Sequence, residues 1–373
     1  MPEFPAIRPH LKRLKALQPA LLPLGLPYGL LMRARRWAFE GGRLASWRPP
    51  CPCVSVGNIG LGGSGKTPLC EHILRWAEAR QELCVVLTRG YGGKPRRLPL
   101  WVTPGADPAQ CGDEPLLLAS AGPGARVVVD PRRSRSGPWA WERFEPDLML
   151  LDDGFQHLPV RRDLDLVLMT PQDLRRGWGK VFPGGSWREG PSALSRASAF
   201  CLKVTEDELT GLRGDIEKRL ARYGRPVFTF AMQPLGLKRL DGLESARDLG
   251  GAEYLFACGL GLPEQAASTA ARLLGRVPAA TLAFPDHHAY TAKDVERMEA
   301  AAREAGAAHV VVTAKDAVKL AQLPGTGRFW MLAARPVFGP ALWSEEPFDA
   351  WFSRRFDELA ARHREEYRAG ILK

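Results

Sequence analysis

The sequence has few cysteines, and their spacing does not suit a structural metal or a disulfide framework. Seven cysteines are scattered through the 373 residues, and among them only Cys51 and Cys53 lie close together. A C-x-C pair at the start of a strand lacks the ligand spacing of a zinc finger. We therefore expect seven reduced thiols in a cytosolic protein, most of them in the core.

The sequence also lacks an uncharged segment of the length that crosses a membrane. Residues 16–32 carry no charge, but 17 helical residues span only roughly 25 Å of a hydrocarbon core about 30 Å thick. Three prolines interrupt this segment, and RARR follows it where a signal peptide would have small cleavage-site residues. The segment is predicted to lie in a membrane interface, with its flanking arginines on anionic headgroups. The alternative is a helical hairpin packed on the protein's own core.

Internal repeats and low-complexity tracts are absent from the sequence, and acidic residues are outnumbered by basic ones. Lys and Arg total 52 while Asp and Glu total 41, which gives a formal net charge of +11. Residues 1–50 supply +7 of this charge, from nine basic and two acidic residues. Such a balance favours an anionic partner, which leaves nucleic acid, anionic lipid and a phosphorylated substrate open. The length suits about two to three folded domains.

The most informative stretch is Val54–Pro68, VSVGNIGLGGSGKTP. It matches G-x-x-x-x-G-K-[ST], the phosphate-binding loop between a strand and a helix. Its backbone N–H groups and the helix N-terminus would bind ATP phosphates, Lys66 would reach the β- and γ-phosphates, and Thr67 would hold Mg²⁺. The alternative is a glycine-rich turn that contains GKT by chance. The candidate nucleotide-binding residues are Gly60, Leu61, Gly62, Gly63, Ser64, Gly65, Lys66 and Thr67.

From residue 51 the chain alternates predicted strands and helices, which is typical of a parallel α/β sheet. The predicted fold is a P-loop NTPase-like parallel sheet sandwiched by helices, followed by a second, smaller α/β domain. Residues 226–250 read as irregular, and Pro347–Tyr367 as a helix that packs back on the first domain. The predicted strands are Cys53–Val56, Leu83–Leu87, Arg126–Val129, Leu148–Leu151, Leu164–Met169, Ala199–Leu202, Val227–Phe230, Tyr254–Ala257, Ala280–Phe284, His309–Thr313 and Arg328–Leu332. The predicted divisions are a basic and apolar N-terminal segment 1–50, a phosphate-loop domain 51–235, a smaller α/β domain 236–345 and a C-terminal helix 346–373.

A second motif, LMLLDDGFQH at Leu148–His157, has the features of a Walker B strand. Four apolar residues predict a buried strand, and a carboxylate at its end can hold Mg²⁺ directly or through water. Asp152 and Asp153 point to opposite sides if the strand continues, so they need not share a role. The alternative is a strand that ends in a turn at Asp153–Gly154.

Four further motifs place polar side chains near predicted strand or helix ends. Asp113 of GDEP lies at a helix start, where an aspartate also serves as an N-cap. Arg188–Glu189 places a base beside an acid, and it could equally be a surface pair. Thr88–Lys94, TRGYGGK, is a basic loop at the sheet edge where ligands bind, or a solvated flexible loop. Pro285–His288, PDHH, could place a histidine to orient a catalytic carboxylate, although such pairs are usually exposed turns.

Two related classes of nucleotide-binding protein are not supported. Leu61 occupies the position of the signature lysine that follows the first glycine in dimeric ATPases with a modified phosphate loop. Thr313–Asp316 reads TAKD, with the lysine one place late for the guanine-binding sequence [NT]-K-x-D.

Taken in order, these blocks resemble the tetraacyldisaccharide 4'-kinase family of lipid A biosynthesis. The resemblance covers about residues 19–320 and includes GNIGLGGSGKTP, TRGYGG, GDEP, LLDDGFQH, WREGPSALSRA, GLPE, FPDHH and TAKDAVK. The chain departs from the family at Cys258 and Leu262, where Ala and Asn are more frequent. The basic, proline-interrupted N-terminus resembles the family's membrane-contacting region.

The resemblance implies transfer of the ATP γ-phosphoryl group to the 4'-hydroxyl of a tetraacylated glucosamine disaccharide 1-phosphate, the lipid A precursor. It implies that Asp113 accepts the hydroxyl proton with help from His287, His288 being the fallback, and that Lys66 is catalytic. It further implies an anionic membrane surface as partner, no nucleic acid, and peripheral association with the cytoplasmic face of the inner membrane. The remaining implied roles are metal binding by Thr67, Asp152, Asp153 and Glu189, nucleotide contacts by Gln156 and Arg188, and acceptor binding by Arg89 and Tyr91.

Two other functions compete with this kinase. A nucleic-acid-stimulated P-loop ATPase would explain the net charge of +11 and predicts steeply salt-dependent binding. The concentration of charge in the first 50 residues argues against it, because an apolar run interrupts the basic clusters. A non-catalytic membrane-associated nucleotide-binding module would require the aspartates to be structural.

Overall fold

The computed structural model describes residues 21–62, 64–242, 244–259, 263–286 and 288–370. The strands in these ranges are β1 Cys53–Asn58, β2 Cys84–Thr88, β3 Leu100–Val102, β4 Arg126–Val129, β5 Leu148–Asp152, β6 Leu164–Met169, β7 Ala199–Lys203, β8 Val227–Arg239, β9 Ser245–Ala246, β10 Tyr254–Cys258, β11 Ala280–Ala283, β12 His309–Thr313 and β13 Phe329–Leu342. The α-helices are α1 Gly25–Glu40, α2 Lys66–Ala79, α3 Pro108–Cys111, α4 Asp113–Ala119, α5 Arg133–Phe144, α6 Pro171–Leu174, α7 Glu206–Thr210, α8 Arg213–Leu220, α9 Pro263–Leu274, α10 Ala292–Glu304, α11 Ala314–Leu320 and α12 Phe348–Arg368.

The described strands form one sheet in the order β11-β10-β12-β13-β8-β7-β6-β1-β5-β2-β4-β3, with β9 paired to β8. The β1 strand lies between β5 and β6, and both of these pairings are parallel. Helices cover both faces, so the central strands are buried along their whole length and read as apolar runs. This architecture confirms the predicted P-loop-like parallel α/β fold.

The sheet differs from the prediction between residues 226 and 250. This stretch was predicted to be irregular, but β8 runs through Pro234 and Gly236 to Arg239. It pairs antiparallel with β13, and the ladder shifts register between Ala333 and Ala334. A proline and a glycine inside a strand obscure the pattern that sequence reading relies on. The long pair joins the smaller C-terminal lobe (β10–β12 with α9–α11) to the first lobe (β1–β7 with α2–α8), and the proposed boundary at 235/236 falls inside β8.

The C-terminal helix α12 returns to the first lobe and packs on α2. The Trp76 ring meets Phe352 and Phe356 edge-on, with centroids 4.8 and 5.1 Å apart. Trp76 Nε1 also donates a hydrogen bond of 2.9 Å to Ser353 Oγ. Since α2 begins at the last residues of the phosphate-loop motif, this contact supports the helix that carries Lys66.

The N-terminal helix α1 packs on the first lobe but leaves a large apolar face exposed. Its Arg36 donates a hydrogen bond of 2.7 Å to the Ser192 carbonyl oxygen, and the Tyr28 ring lies 5.7 Å from that of Phe182. The exposed apolar side chains on this helix are Leu26, Leu30, Leu31 and Trp37. Among the described residues, no helix combines the length and apolar composition needed to cross a bilayer. Residues 16–20 of the predicted interfacial segment lie outside the described ranges.

Asp163 links α12 to the start of β1, and its replacement tests this link. Its carboxylate lies 2.9 Å from the Cys53 backbone nitrogen, 3.1 Å from His363 Nε2 and 2.7 Å from Arg362 Nη2. Burial raises the pKa of Asp163, but hydrogen bonds from His363 and the Cys53 N–H, with the charge of Arg362, outweigh it and lower the pKa. Asp163→Asn is therefore expected to lose about 1–3 kcal/mol of unfolding free energy at pH 7.

The pH dependence of that loss follows from the lowered pKa. A carboxylate with a lowered folded pKa stabilises the fold above the unfolded value of about 3.9, and the contribution disappears as pH falls through the folded pKa. Urea midpoints of wild type and Asp163→Asn should differ at pH 7 and converge in acid. The exposed Asp207, changed to Asn, provides the control. A difference that persists unchanged in acid would contradict the assignment.

Candidate active site

The phosphate-loop motif connects the central strand β1 to helix α2. Gly65 is left-handed, with φ of 94°, and immediately precedes Lys66, the first residue of α2. A Cβ atom at Gly65 would lie 3.0 Å from Phe230 Cζ, so both the backbone angle and the space require glycine. The turn places the N-terminus of α2 at the carboxyl edge of the sheet, where a helix favours an anion. Gly63 lies outside the described residues.

Two side chains of the loop region suit a phosphate group. Ser64 is buried, and its Oγ has no hydrogen-bond partner among the described residues. A buried hydroxyl without a partner is costly, and a phosphate oxygen would satisfy it. Lys66 Nζ lies 3.4 Å from Asn58 Oδ1 and 3.7 Å from Asp153 Oδ1. The lysine therefore reaches from α2 towards the end of β5, as its predicted role requires.

Asp152 is a buried carboxylate at the end of β5. Thr88 Oγ1 donates a hydrogen bond of 2.9 Å to its Oδ2, and Cys70 Sγ lies 3.8 Å from its Oδ1. Burial raises the pKa of Asp152 to about 6, and the nearby negative charges of Glu114 and Asp153 contribute. Acidic groups gathered in a buried site are stabilised by a bound cation.

Asp153 has a different environment, because the strand ends at Asp152 and Asp153 lies in the turn that follows, with φ of 49°. Its carboxylate oxygens accept hydrogen bonds of 2.8 and 2.7 Å from Arg188 Nη1. Burial raises the pKa of Asp153, but Lys66 and Arg188 outweigh this effect and lower it. Gln156 completes the cluster, because it accepts from Arg188 at 3.1 Å and donates to the Asn58 carbonyl at 2.8 Å. The structure thus brings these predicted residues together beside the loop.

Glu189 is paired with a basic side chain in this structure, and its role as a metal ligand stays a prediction. Its two oxygens lie 2.8 and 3.1 Å from the guanidinium of Arg196, and both side chains are largely buried. In the described ranges no group of three or more His, Cys, Asp or Glu side chains is placed to hold a metal ion. The two hydrogen bonds from Arg196 satisfy both Glu189 oxygens. Thr67 and Asp152 keep the hydroxyl and carboxylate oxygens that suit Mg²⁺.

Asp113 is the first residue of α4 and is largely buried. The preceding Gly112 has φ of 88°, and a Cβ atom there would lie 2.7 Å from the Tyr91 carbonyl oxygen. This close approach packs the TRGYGGK loop against the loop that carries Asp113. Arg89 and Tyr91 are both exposed on that neighbouring loop. The predicted base and the predicted acceptor-binding residues therefore lie on adjoining loops.

Asp113 also contacts two lysines that the sequence reasoning did not select. From α11 of the smaller lobe, Lys319 Nζ lies 3.4 Å from Asp113 Oδ2, and Lys315 Nζ lies 3.9 Å from the same atom. Lys315 is also 3.4 Å from Glu114 and 3.2 Å from Asp286. Their spacing of four residues on a helix after a buried strand was the signal available in the sequence.

The fallback histidine, His288, belongs to the packing of the smaller lobe. Its ring lies 5.0 Å from both Phe284 and Tyr290, and its Nε2 is 3.2 Å from Asp294 Oδ2. These contacts hold it within its own lobe. His287, the predicted assistant of Asp113, lies outside the described residues.

A phosphate loop after the central strand, with carboxylates at the end of the neighbouring strand, defines the class of P-loop kinases and NTPases. The family model described as tetraacyldisaccharide-1-P 4'-kinase matches residues 17–355. The chain belongs to this family.

Individual relatives agree with the family match. A tetraacyldisaccharide 4'-kinase of Oleidesulfovibrio alaskensis is 47% identical over 93% of this chain and 97% of its own length. One from Nitratidesulfovibrio vulgaris is 45% identical over 92% of this chain and 96% of its own. The solved structure of LpxK from Aquifex aeolicus, described as a complex with ATP, has a TM-score of 0.72 and 28% identity, covering 91% of this chain and 99% of that one. These relatives give no support to a nucleic-acid-stimulated ATPase.

Proposed function

We propose that this protein phosphorylates the 4'-hydroxyl of a tetraacylated glucosamine disaccharide 1-phosphate, with ATP as donor. The 4'-oxygen forms a bond to the γ-phosphorus while the bond from that phosphorus to the β,γ-bridging oxygen breaks. The hydroxyl proton passes to Asp113, and ADP leaves. The transition state is loose, so an ordinary carboxylate suffices as base, and positioning and charge stabilisation supply most of the rate.

The observation that carries this proposal is the meeting of three elements at one edge of the sheet. The phosphate-loop motif leads into α2 at Lys66, Asp152 ends the neighbouring strand β5 with Asp153 directly after it, and helix α4 contacts α2. We propose that Asp113, next to Glu114, faces the phosphate end of the bound nucleotide. Such an arrangement provides backbone N–H groups that bind phosphate, a lysine and carboxylates that bind the phosphate and its metal ion, and a carboxylate that can accept a proton.

The residues present fit a magnesium ion. Thr67 and Asp152 would hold it, because they offer hard oxygen donors, and burial with the nearby acidic groups Glu114 and Asp153 raises the pKa of Asp152, which a bound cation would reverse. When bound, Mg²⁺ neutralises charge on the β- and γ-phosphates. Lys66 reaches towards the same phosphates, and Arg188 holds Asp153 in place.

The reaction is tested by adding ATP and the lipid disaccharide 1-phosphate to the detergent-solubilised protein. Mass spectrometry should find one added phosphate on the lipid, and fragmentation should locate it at the 4'-position. Glucosamine disaccharide lacking acyl chains provides the acceptor control. Hydrolysis of ATP without any phosphorylated lipid would reject the proposal.

We further propose that α1 docks on the cytoplasmic face of the inner membrane, as a peripheral contact with anionic lipid. Leu26, Leu30 and Leu31 are each more than three-fifths exposed, and Arg33 is exposed on the same helix. Apolar side chains in the acyl boundary with cations at the headgroups are the features of an interfacial helix. Arg35 of this helix donates to the Gln156 carbonyl at 3.3 Å, which ties the contact to the active site.

The triple variant Leu26→Ser, Leu30→Ser, Leu31→Ser is expected to bind vesicles at least about 100-fold more weakly than wild type. Burial of each leucine is worth roughly 1.5–3 kcal/mol, so three losses exceed that factor even when burial is partial. The measurement is co-sedimentation with vesicles of phosphatidylethanolamine and phosphatidylglycerol.

A matched control is Val277→Ser, because Val277 is 76% exposed on the smaller lobe. It should bind vesicles as wild type does. Equal binding by the triple variant and wild type would refute docking through α1. Binding of duplex DNA by the wild type with a steep salt dependence would contradict the proposal that nucleic acid is not a partner.

A further inference from the structure

Helix α11 of the smaller lobe meets helix α4 of the first lobe across the cleft that contains Asp113. Lys315 and Lys319 lie one turn apart on α11, and both ammonium groups approach the same Asp113 oxygen. Towards the other ends of these helices the lobes are separated by a cleft of about 490 Å³, lined by Ser120 and Gln322 among others. The contact between the two helices thus includes ion pairs from both ends of α11 to Asp113, beside the apolar contact made by Val318.

Both lysines are largely buried, with side-chain exposures of 14% for Lys315 and 10% for Lys319. Burial lowers the pKa of Lys315, but Glu114, Asp113 and Asp286 outweigh it and raise the pKa, so this lysine stays charged. Lys319 also donates to the His288 carbonyl oxygen at 3.0 Å. Two buried ammonium groups at one carboxylate oxygen interact with it more strongly than solvent-exposed lysines would, because water screens them less and their positions are restricted.

The N-terminal turn of α11 is held in place by Asp316, which is fully buried. This carboxylate accepts hydrogen bonds from Thr313 Oγ1 at 2.6 Å, Tyr290 Oη at 2.9 Å and the Gly259 backbone N–H at 3.1 Å. Thr313 caps the helix by accepting from the Asp316 N–H at 3.3 Å. These hydrogen bonds fix α11 to the smaller lobe, so the two lysines on this helix have defined positions.

We infer that Lys315 and Lys319 are positioning residues that fix the Asp113 carboxylate for proton acceptance when the two lobes are in contact. This inference rests on the proposed kinase function. The Glu114 backbone N–H donates to Asp113 Oδ1 at 3.1 Å and the lysines approach Oδ2. The base is complete only when both lobes contribute, which links lobe contact to the chemical step.

The test compares Lys319→Met with Lys319→Arg and Lys315→Met in the full-length protein, with steady-state kinetics on the lipid acceptor. Lys319→Met is expected to lower kcat about 10- to 100-fold, because small displacements of a reacting group cost about this much. KM for ATP should stay within about twofold of wild type, since the phosphate loop is untouched. Lys319→Arg should recover most of the rate, and Lys315→Met should lower kcat in the same direction. The exposed Lys293, changed to Met, is the control.

A double variant separates positioning of Asp113 from a structural role. In an Asp113→Asn background, Lys319→Met should change the single-turnover rate by less than about twofold, because the group it positions is already gone. A full 10- to 100-fold loss in both backgrounds, or an unchanged kcat in Lys319→Met, would overturn the inference. If the Asp113→Asn rate is below detection, two results decide between positioning and a structural role. Positioning requires that Lys319→Met lowers kcat without changing KM for ATP, and that Lys319→Arg recovers most of the rate. Failure of wild type itself to phosphorylate lipid would instead refute the proposed function.

Discussion

Replacement of Asp113 by asparagine is expected to lower kcat for lipid phosphorylation by about 10²–10⁴-fold. Asparagine keeps the shape of the side chain but cannot accept the proton of the 4'-hydroxyl, and general-base catalysis contributes about this factor. The buried position at the start of α4 and the two lysines at its carboxylate hold Asp113 in one geometry. The dissociation constant for ATP should stay within about twofold of wild type, because the loop and Lys66 are unaltered.

The matched control is Asp107→Asn on the neighbouring helix α3. Asp107 caps that helix by accepting from the Ala109 N–H at 2.8 Å, and asparagine caps about equally well. This variant should retain wild-type kinetics. A rate for Asp113→Asn close to that of wild type would remove Asp113 as the base, and it would leave the phosphate loop as the site of nucleotide binding.

Replacement of Lys66 by methionine is expected to lower kcat by about 10²–10³-fold, the usual effect of removing one cation or donor from a transition state. Lys66 is placed to reach charge that develops on the γ-phosphate, and its neighbours Asn58 and Asp153 hold it at the loop. Asp153 keeps its hydrogen bonds to Arg188 in the variant, so we expect the fold to survive.

The rate should be measured by single-turnover transfer from γ-labelled ATP to the lipid. Circular dichroism and the thermal midpoint should match wild type within error. The exposed Lys218, changed to Met, is the control for loss of one positive charge. A variant that lacks Lys66 and still transfers phosphate at the wild-type rate would refute the assigned role of the loop.

Much of the fold could be read from apolar runs that end in polar or glycine-rich turns. The strand at Leu164–Met169 was predicted with its observed limits, and those at Arg126–Val129 and His309–Thr313 were as well. Buried parallel strands have this continuous apolar signature because helices cover both of their faces. The short antiparallel strand β3 at Leu100–Val102 was missed, since three residues of which only Val102 is buried carry little pattern.

The long strands β8 and β13 were only partly predicted. Their first residues are apolar and buried, and these were recognised, but β8 continues past Pro234 and Gly236, and β13 past Pro336. Each strand continues because the other supplies its antiparallel partner. A sequence window cannot reveal a partner that lies about 100 residues away, so the connection between the lobes was read as irregular chain.

For the candidate site, the local motifs gave the correct neighbourhood but not every pairing. Lys66, Asp153, Gln156 and Arg188 do come together. Glu189 is predicted to bind the metal, and its partner in the structure, Arg196, was not predicted. Glu189 and Arg196 are charged residues in one short block of sequence, and their spacing does not indicate which oppositely charged residue each of them contacts.

By itself the sequence determined the phosphate loop and the strand that leads into two aspartates, because each of these motifs spans only a few neighbouring positions. The order of such motifs along the chain indicated the family. Only the tertiary structure decided that Asp113 meets Lys319, since 206 positions separate them along the chain and the contact requires both lobes. Short-range spacing fixes turns and helix starts through backbone geometry. Contacts between lobes depend on the order of strands in the sheet and on which helices then face each other.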